Sequence, residues 1–380
     1  MLRAYYPFLL LLACLLLSAC RPVQAPAEPA LAATSVPVPA ATPTVAPTVA
    51  PTVAPVAAAK DGVMELKAEK IVSQALAGNL LGDPAERTVY VLLPPGYATS
   101  DKRYPVIYVM PWGRGYPEDN AWGFKTAMES LLRKGEIQDV IIVVPDGTTK
   151  LGASHFRSSP TIGDYETYIS QEVVDYVDSH YRTLPTRDSR GLAGCSNGGS
   201  GAMRLGLMYP NVFSLVAATG GIYDESLEVW PSDVDTVQQM QELPKDAGDL
   251  DPDGMDAWYM QMAAAEAPDP DNPPFYAEMP FRIVDGHGEF VSEVIAKIVE
   301  KDAAHEAARY AKQPIRLRGI LIQHGLYDEP DIGTAVHSFE QVLTDLGIDH
   351  EYVEVKTGHC GYGWEEASLK YMSDKLSFAQ

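Results

Sequence analysis

The stretch Gly191-Leu192-Ala193-Gly194-Cys195-Ser196-Asn197-Gly198-Gly199 sets Gly-x-Ser-x-Gly between an apolar run and the helical run Ser200–Met208. Few architectures use such a turn. A serine hydroxyl is a poor nucleophile and has to be lifted clear of the chain where a base reaches it. Glycines two residues to either side leave room for that strained bend. The helix that follows aims its amino end at a developing oxyanion, and the amide of Asn197 is placed to donate to it. A glycine-rich strand-to-helix turn also serves close packing alone, so the rest of the chain must supply the partners that a nucleophile needs.

The surrounding pattern suits the turn. Short β-branched and apolar runs recur at Thr88–Leu93, Val106–Met110, Val140–Val144, Gly191–Cys195, Phe213–Ala218, Gly319–Gln323 and Tyr352–Val355. The inner ones are nearly continuous in apolar residues, as in strands buried on both faces. Helical stripes lie between them, one through Tyr165, Tyr168, Ile169, Val173, Tyr176 and Val177 and another through Val336, Phe339, Leu343 and Leu346. This alternation predicts an α/β fold, a mostly parallel sheet with helices on both faces and ligands beyond the carboxyl ends of its strands. Residues 222–316 fit less well. They are acidic and interrupted by prolines, with one helix expected near Glu293–Tyr310, and read as an insertion placed as a cap or lid.

The amino-terminal part is of another kind. Arg3 precedes the apolar run Phe8–Leu17, too short to span a hydrocarbon core of roughly 30 Å, and this reads as an export signal over 1–19. Leu17-Ser18-Ala19-Cys20 resembles a bacterial lipoprotein signal, in which Cys20 is lipidated; a cut at Ala19 with Cys20 incidental is the alternative. Residues 21–59 hold nine prolines and thirteen alanines, with a Pro-Thr-Val-Ala repeat from Pro43, Pro47 and Pro51. Such a segment has little to bury and serves as a semi-rigid spacer of up to about 3.1 Å per residue. The expected organisation is signal 1–19, tether 20–59 and one folded domain over 60–380, outside the cytoplasm and anchored by lipid to a bacterial membrane.

Eight histidines compete for the general base. Only His359, in Gly358-His359-Cys360-Gly361, stands in a loop directly after a C-terminal strand and before the last helical segment. That gives the chain order serine, acid, histidine. The acid should orient the imidazole and stabilise its charged form. Asp328, in His324-Gly325-Leu326-Tyr327-Asp328, follows the preceding strand and is the first choice, ahead of Glu329, Asp331 and Asp224.

Arg87-Thr88-Val89-Tyr90-Val91-Leu92-Leu93-Pro94-Pro95-Gly96-Tyr97, Arg103-Tyr104-Pro105-Val106-Ile107-Tyr108 and the serine turn through Met208-Tyr209-Pro210-Asn211-Val212-Phe213 together resemble the family named "Putative esterase". It includes esterase D-like enzymes and the feruloyl and acetylxylan esterases of carbohydrate esterase family one. The resemblance runs from about residue 62 to the end and is weakest over 222–316. It implies the α/β-hydrolase fold and a triad of Ser196, Asp328 and His359. Where the family usually has His-Gly after its third strand, this chain has Pro111-Trp112 before Gly113-Arg114-Gly115. Gly113 is then the expected second oxyanion donor through its amide. Trp112 either stacks on a sugar or hydroxycinnamoyl ring or belongs to the core.

Apart from Cys14 and Cys20, the chain has only Cys195 and Cys360, the neighbours of the proposed nucleophile and base. A hydrogen bond between Ser196 and His359 would bring the two backbones close to the Cα separation a disulfide needs, roughly 4.4–6.8 Å. The arrangement Cys-Ser, Asp, His-Cys also resembles tannases and fungal-type feruloyl esterases, in which a disulfide ties the two loops. Two small buried thiols are the other reading.

The formal charge of −22 disfavours nucleic acid as a partner. Asp249, Asp251, Asp253 and Gly254 are similar to the start of a calcium loop, but Met260 holds the position where a bidentate glutamate is required, so a solvated acidic loop is expected. No zinc or nucleotide signature stands out, and neither metal nor cofactor is expected. The sequence thus points to an esterase acting on acetyl, feruloyl or similar acyl groups of carbohydrate or small alcohols. An acyltransferase using the same acyl-enzyme, or a silent tethered binding protein, are the alternatives.

Overall fold

Val106, Tyr108 and Met110 enter one apolar cluster, and Ile107 and Val109 enter another. Strand β3 (Val106–Met110) is therefore buried on both faces, as its unbroken apolar run requires. The computed structural model describes residues 62–227, 245–251, 255–285 and 287–378. The expected signal, Cys20, the tether and Asp253 lie outside them.

The central sheet has eight strands: β1 (Glu65–Val72), β2 (Glu86–Leu93), β3, β4 (Ile141–Pro145), β5 (Arg190–Cys195), β6 (Leu215–Thr219), β7 (Gly319–Gly325) and β8 (Glu351–Val355). Their spatial order is β1-β2-β4-β3-β5-β6-β7-β8. β2 runs antiparallel to both β1 and β4, and the remaining pairs are parallel. The order reverses at β3, which has β4 on one side and β5 on the other. In open α/β sheets ligands bind beyond the carboxyl ends of the strands at such a switch point, here the ends of β3 and β5.

Two helices from opposite ends of the chain cover one face. α1 (Pro117–Lys134) and the last helix, Trp364–Lys375, meet through an edge-to-face contact of Phe124 on Trp364, 5.2 Å between centroids. On the other face lie α2 (Asn197–Met208) and the stripe from Tyr165 to Val177. That stripe forms a broken helical run, Tyr165–Thr167 and Val174–His180 with a π-helical stretch, Tyr168–Val173, between them. The wider π turn keeps Tyr165, Tyr168, Ile169, Val173 and Val177 all buried.

The described part of 222–316 contains α3 (Met255–Glu266), a hairpin of Phe281–Val284 with His287–Phe290, α4 (Ser292–Val299) and α5 (Ala303–Tyr310). The single helix expected near Glu293–Tyr310 is thus two. Asp302 makes the break: its carboxylate accepts the amide of His305 at 2.8 Å and that of Glu225 at 3.1 Å, which starts a new helix at Ala303. Ala257, Met260, Ala263 and Phe275 share a cluster with Leu192 and Phe156, so this part packs into the main core. Buried Arg157 pairs with Glu225 and Glu266 and donates to the carbonyl of Lys301 at 3.0 Å, fastening the stretch from within.

Candidate active site

Ser196 sits between β5 and α2 with φ 55° and ψ −128°, a conformation that costs a non-glycine residue about 1–3 kcal/mol. Its surroundings hold it there. The Ser196 amide donates to the carbonyl of Thr219 at the end of β6, 2.9 Å away, and the Ser196 carbonyl accepts from Ser200 at 3.0 Å. The glycines of the motif are required by contact. A Cβ at Gly194 would lie 2.1 Å from the carbonyl oxygen of Gly198, and one at Gly198 would lie 2.1 Å from that of Met110. Backbone from β3, β5 and α2 therefore meets in one place, and any larger residue would force the turn away from the sheet edge.

Asn197 is the first residue of α2, so its amide has no partner within the helix and is available at the helix amino end. The Asn197 side chain donates from Nδ2 to the carbonyl of Gly113 at 3.1 Å. Gly113 has φ 60° and follows Trp112, which is 46% exposed. The two residues expected to supply oxyanion donors are thus tied to one another, a link that sequence reasoning missed. No spacing signals it, because it joins a side chain to a backbone atom 84 positions away.

Asp328 and His359 come from the loops after β7 and β8. His359 Nδ1 lies 2.9 Å from Asp328 Oδ1, which also accepts the amide of Glu329 at 2.8 Å. The Asp328 side chain is buried while that of His359 is about a third exposed. Parallel pairing of β7 and β8 continues into these loops, where Leu326 and Tyr327 donate to the carbonyls of Val355 and Thr357 at 2.8 and 2.9 Å. The position of Gly220, next after Thr219, shows how near this pair is to the serine turn: a Cβ there would be 3.2 Å from Asp328 Oδ2 and 3.6 Å from His359 Nδ1.

Cys195 and Cys360 are joined by a disulfide with Cα atoms 5.8 Å apart. It links the residue before Ser196 to the residue after His359, so the serine and histidine loops are one covalent unit. The arrangement has the parts of a nucleophilic site: a serine on a strained turn, a helix amino end, and an imidazole whose other nitrogen is fixed by a buried carboxylate.

The other candidates lie elsewhere or face other partners. Asp224 accepts the hydroxyls of Ser226 and Ser338, and Glu329 and Asp331 open the helix Pro330–Asp345. Among the remaining histidines, His155 is buried against Trp258 at 5.1 Å between ring centroids, and burial pushes its pKa down to about 3. His180 stacks on Tyr176, and His305 bonds to Asp302. His324 lies behind Asp328, with Nδ1 3.8 Å from Oδ2.

Comparison with known proteins agrees with this architecture. Residues 84–262 match the family model described as "Putative esterase". An esterase of Mycobacterium tuberculosis is 30% identical over 138 residues, which are 35% of this chain and 28% of that protein. An endo-1,4-beta-xylanase/feruloyl esterase of Xylanibacter ruminicola is 27% identical over 146 residues, 36% of this chain and 20% of that protein. The matched regions thus span less than a third of these curated relatives. A solved ferulic acid esterase superposes with a TM-score of 0.56 at 17% identity, covering 83% of this chain and 100% of that one. The fold is that of the α/β-hydrolases.

Proposed function

We propose that this chain, a member of the family described as "Putative esterase", is a serine esterase that hydrolyses carboxylic esters through Ser196, His359 and Asp328. The observation that carries the reading is the covalent link between the serine turn and the loop of His359, whose ring is hydrogen-bonded to buried Asp328. His359 takes the proton of Ser196 as the hydroxyl attacks the ester carbonyl. The amides of Asn197 and Gly113 hold the oxyanion, and His359 then protonates the departing alcohol. Water deacylates Ser196 by the same route in reverse. Asp328 keeps the imidazole in the tautomer that presents Nε2 to the serine, and stabilises the imidazolium.

The acyl group is proposed to be acetyl, feruloyl or of similar kind, on carbohydrate or a small alcohol, with exposed Trp112 beside Gly113 as an aromatic wall. The relatives' names support this range. For location, the proposal is a lipid on Cys20 and a tether over 21–59 that holds the domain outside the cytoplasm; the signal-like start and a disulfide suited to an oxidising compartment support it.

The test is turnover of p-nitrophenyl acyl esters, methyl ferulate and acetylated xylan by the tether-free protein and its Ser196→Ala variant. The expected result is hydrolysis that falls at least about a thousandfold in the variant. Equal turnover by both removes the nucleophile, and acylated acceptor alcohols among the products would make the enzyme a transferase. Movement of the Cys20→Ala chain from the membrane to the soluble fraction tests the anchor.

A further inference from the structure

Asp328 accepts hydrogen bonds on only one of its two carboxylate oxygens. Oδ1 accepts from His359 and from the amide of Glu329, whereas Oδ2 is buried and has no hydrogen-bond partner among the described residues. A neighbour of complementary chemistry is Nδ1 of His324, 3.8 Å away, itself buried and equally without a hydrogen-bond partner. A carboxylate oxygen only accepts, and an imidazole nitrogen donates when it carries the proton. One choice of tautomer, with the His324 proton on Nδ1, turns a donor toward the acceptor that lacks one. The alternative leaves two buried polar atoms unsatisfied, each at a cost.

We infer that His324 is a positioning residue for the reaction: its Nδ1–H faces Asp328 Oδ2 and fixes the carboxylate so that Oδ1 is presented to His359. The inference rests on the reading of Ser196, His359 and Asp328 as a triad. The 3.8 Å gap is longer than a hydrogen bond, and contacts of this kind shorten as charge develops during reaction. Backbone geometry makes the placement firm. His324 is in β7, whose register with β8 pairs it to Glu354, and Asp328 returns its amide to the carbonyl of Gly325 at 3.0 Å.

For this role the ring has to be neutral, because an imidazolium at position 324 would compete with His359 for the same carboxylate. The groups facing it are Asp328 and Glu354, which favour its charged form, and His337 and His359, which oppose it. Burial outweighs them and lowers its pKa from the ordinary value of 6.5. His337 stands 5.6 Å away edge to face and is itself held by the carbonyl of Gly333, Tyr352 and Glu354, so it leaves Nδ1 of His324 turned to Asp328.

Two polar variants separate positioning from packing. The side-chain amide nitrogen of asparagine superposes on Nδ1 of histidine, whereas that of glutamine superposes on Nε2. His324→Asn therefore keeps a donor toward Asp328, and His324→Gln carries it past. Two readouts are taken on the tether-free protein: kcat and KM for a p-nitrophenyl ester, and the strongly deshielded proton NMR resonance of the bond between His359 Nδ1 and Asp328. His324→Gln should lower kcat about tenfold with KM unchanged and broaden or shift the resonance. His324→Asn should keep kcat within about twofold and preserve the resonance. Wild-type kcat and resonance in His324→Gln would overturn the inference, as would equal losses in the two variants. The resonance needs no substrate, so it judges His324 even if wild-type protein turns over no ester, an outcome that would instead sink the esterase reading.

Discussion

The sulfur atoms of Cys195 and Cys360 are bonded across a sequence separation of 165 residues, with their Cα atoms 5.8 Å apart. Because Ser196 follows one cysteine and His359 precedes the other, a single covalent bond sets the spacing of two loops that hydrogen bonding would otherwise have to hold together. A closed loop of that length stabilises by about 5 kcal/mol in the chain-entropy model. The double variant Cys195→Ser/Cys360→Ser should therefore melt several degrees lower by calorimetry, and its kcat should fall more than its KM changes. Wild-type protein in dithiothreitol should behave like the variant. A melting temperature and kcat insensitive to both treatments would show that the β-sheet alone positions the loops.

Burial of His155 makes acid stability predictable. Desolvation is the main cause of its lowered pKa of about 3, and the nearby charge of Arg157 adds to it. The unfolded chain takes up this proton near pH 6.5 and the folded one only near pH 3. Stability from this residue is therefore complete above 6.5 and is lost as pH falls toward 3, at on the order of 1.4 kcal/mol per pH unit. Urea denaturation between pH 7 and 4 should show stability falling with pH more steeply in the wild type than in His155→Gln, the difference between the two slopes being on the order of 1.4 kcal/mol per pH unit. Identical slopes would mean that His155 is protonated in the folded protein.

Arg157 lies outside the acidic stretch but fastens it, and removing its side chain should be costly. It is buried between Glu225 and Glu266, both carboxylates raising its pKa against the effect of burial, and it also reaches the carbonyl of Lys301. Deleting the cation leaves negative charge in the core, a change that costs about 3–5 kcal/mol in comparable buried pairs. Arg157→Met should unfold at correspondingly lower denaturant, with the accompanying exposure of Trp258 visible in fluorescence. A midpoint within error of wild type would contradict the network as described.

How much of this was legible in sequence depends on how local each cause is. Strands buried on both faces announce themselves through unbroken apolar runs, and the serine turn through glycines whose Cβ atoms would strike backbone. β1 (Glu65–Val72) was not foreseen, because its Glu-Leu-Lys-Ala-Glu-Lys-Ile-Val alternation belongs to an edge strand in which only Ile71 is buried and could equally be written for a surface helix. The division of Glu293–Tyr310 depends on Asp302 receiving the amide of Glu225, 77 positions earlier. His155 looks like any loop histidine until Trp258 arrives from α3. The aspartate and histidine pair could be ranked from chain order, yet the link from Asn197 to Gly113 and the orphan nitrogen of His324 exist only after folding.

That link separates two roles of Asn197. The backbone amide is the proposed oxyanion donor and survives any substitution except proline. The side chain instead holds the Gly113 loop by one hydrogen bond of 3.1 Å, while its Oδ1 is buried without a partner. Asn197→Ala removes the bond and the orphan oxygen together, so its cost in stability should be small, about 1 kcal/mol or less. Its cost in catalysis should be larger, since a second donor displaced by a fraction of an ångström loses much of its hold on the oxyanion. The expected outcome is a kcat lower by about tenfold at nearly unchanged KM and melting temperature. Asn197→Asp should do worse, because it sets a carboxylate against the carbonyl of Gly113 and close to the developing negative charge. Equal kcat for wild type and Asn197→Ala would mean that Gly113 is held by its own loop or takes no part in stabilising the oxyanion, and a stepwise comparison with Gly113→Ala, where φ 60° strains any side chain but no atom lies within 4 Å of the added Cβ, would decide between the two.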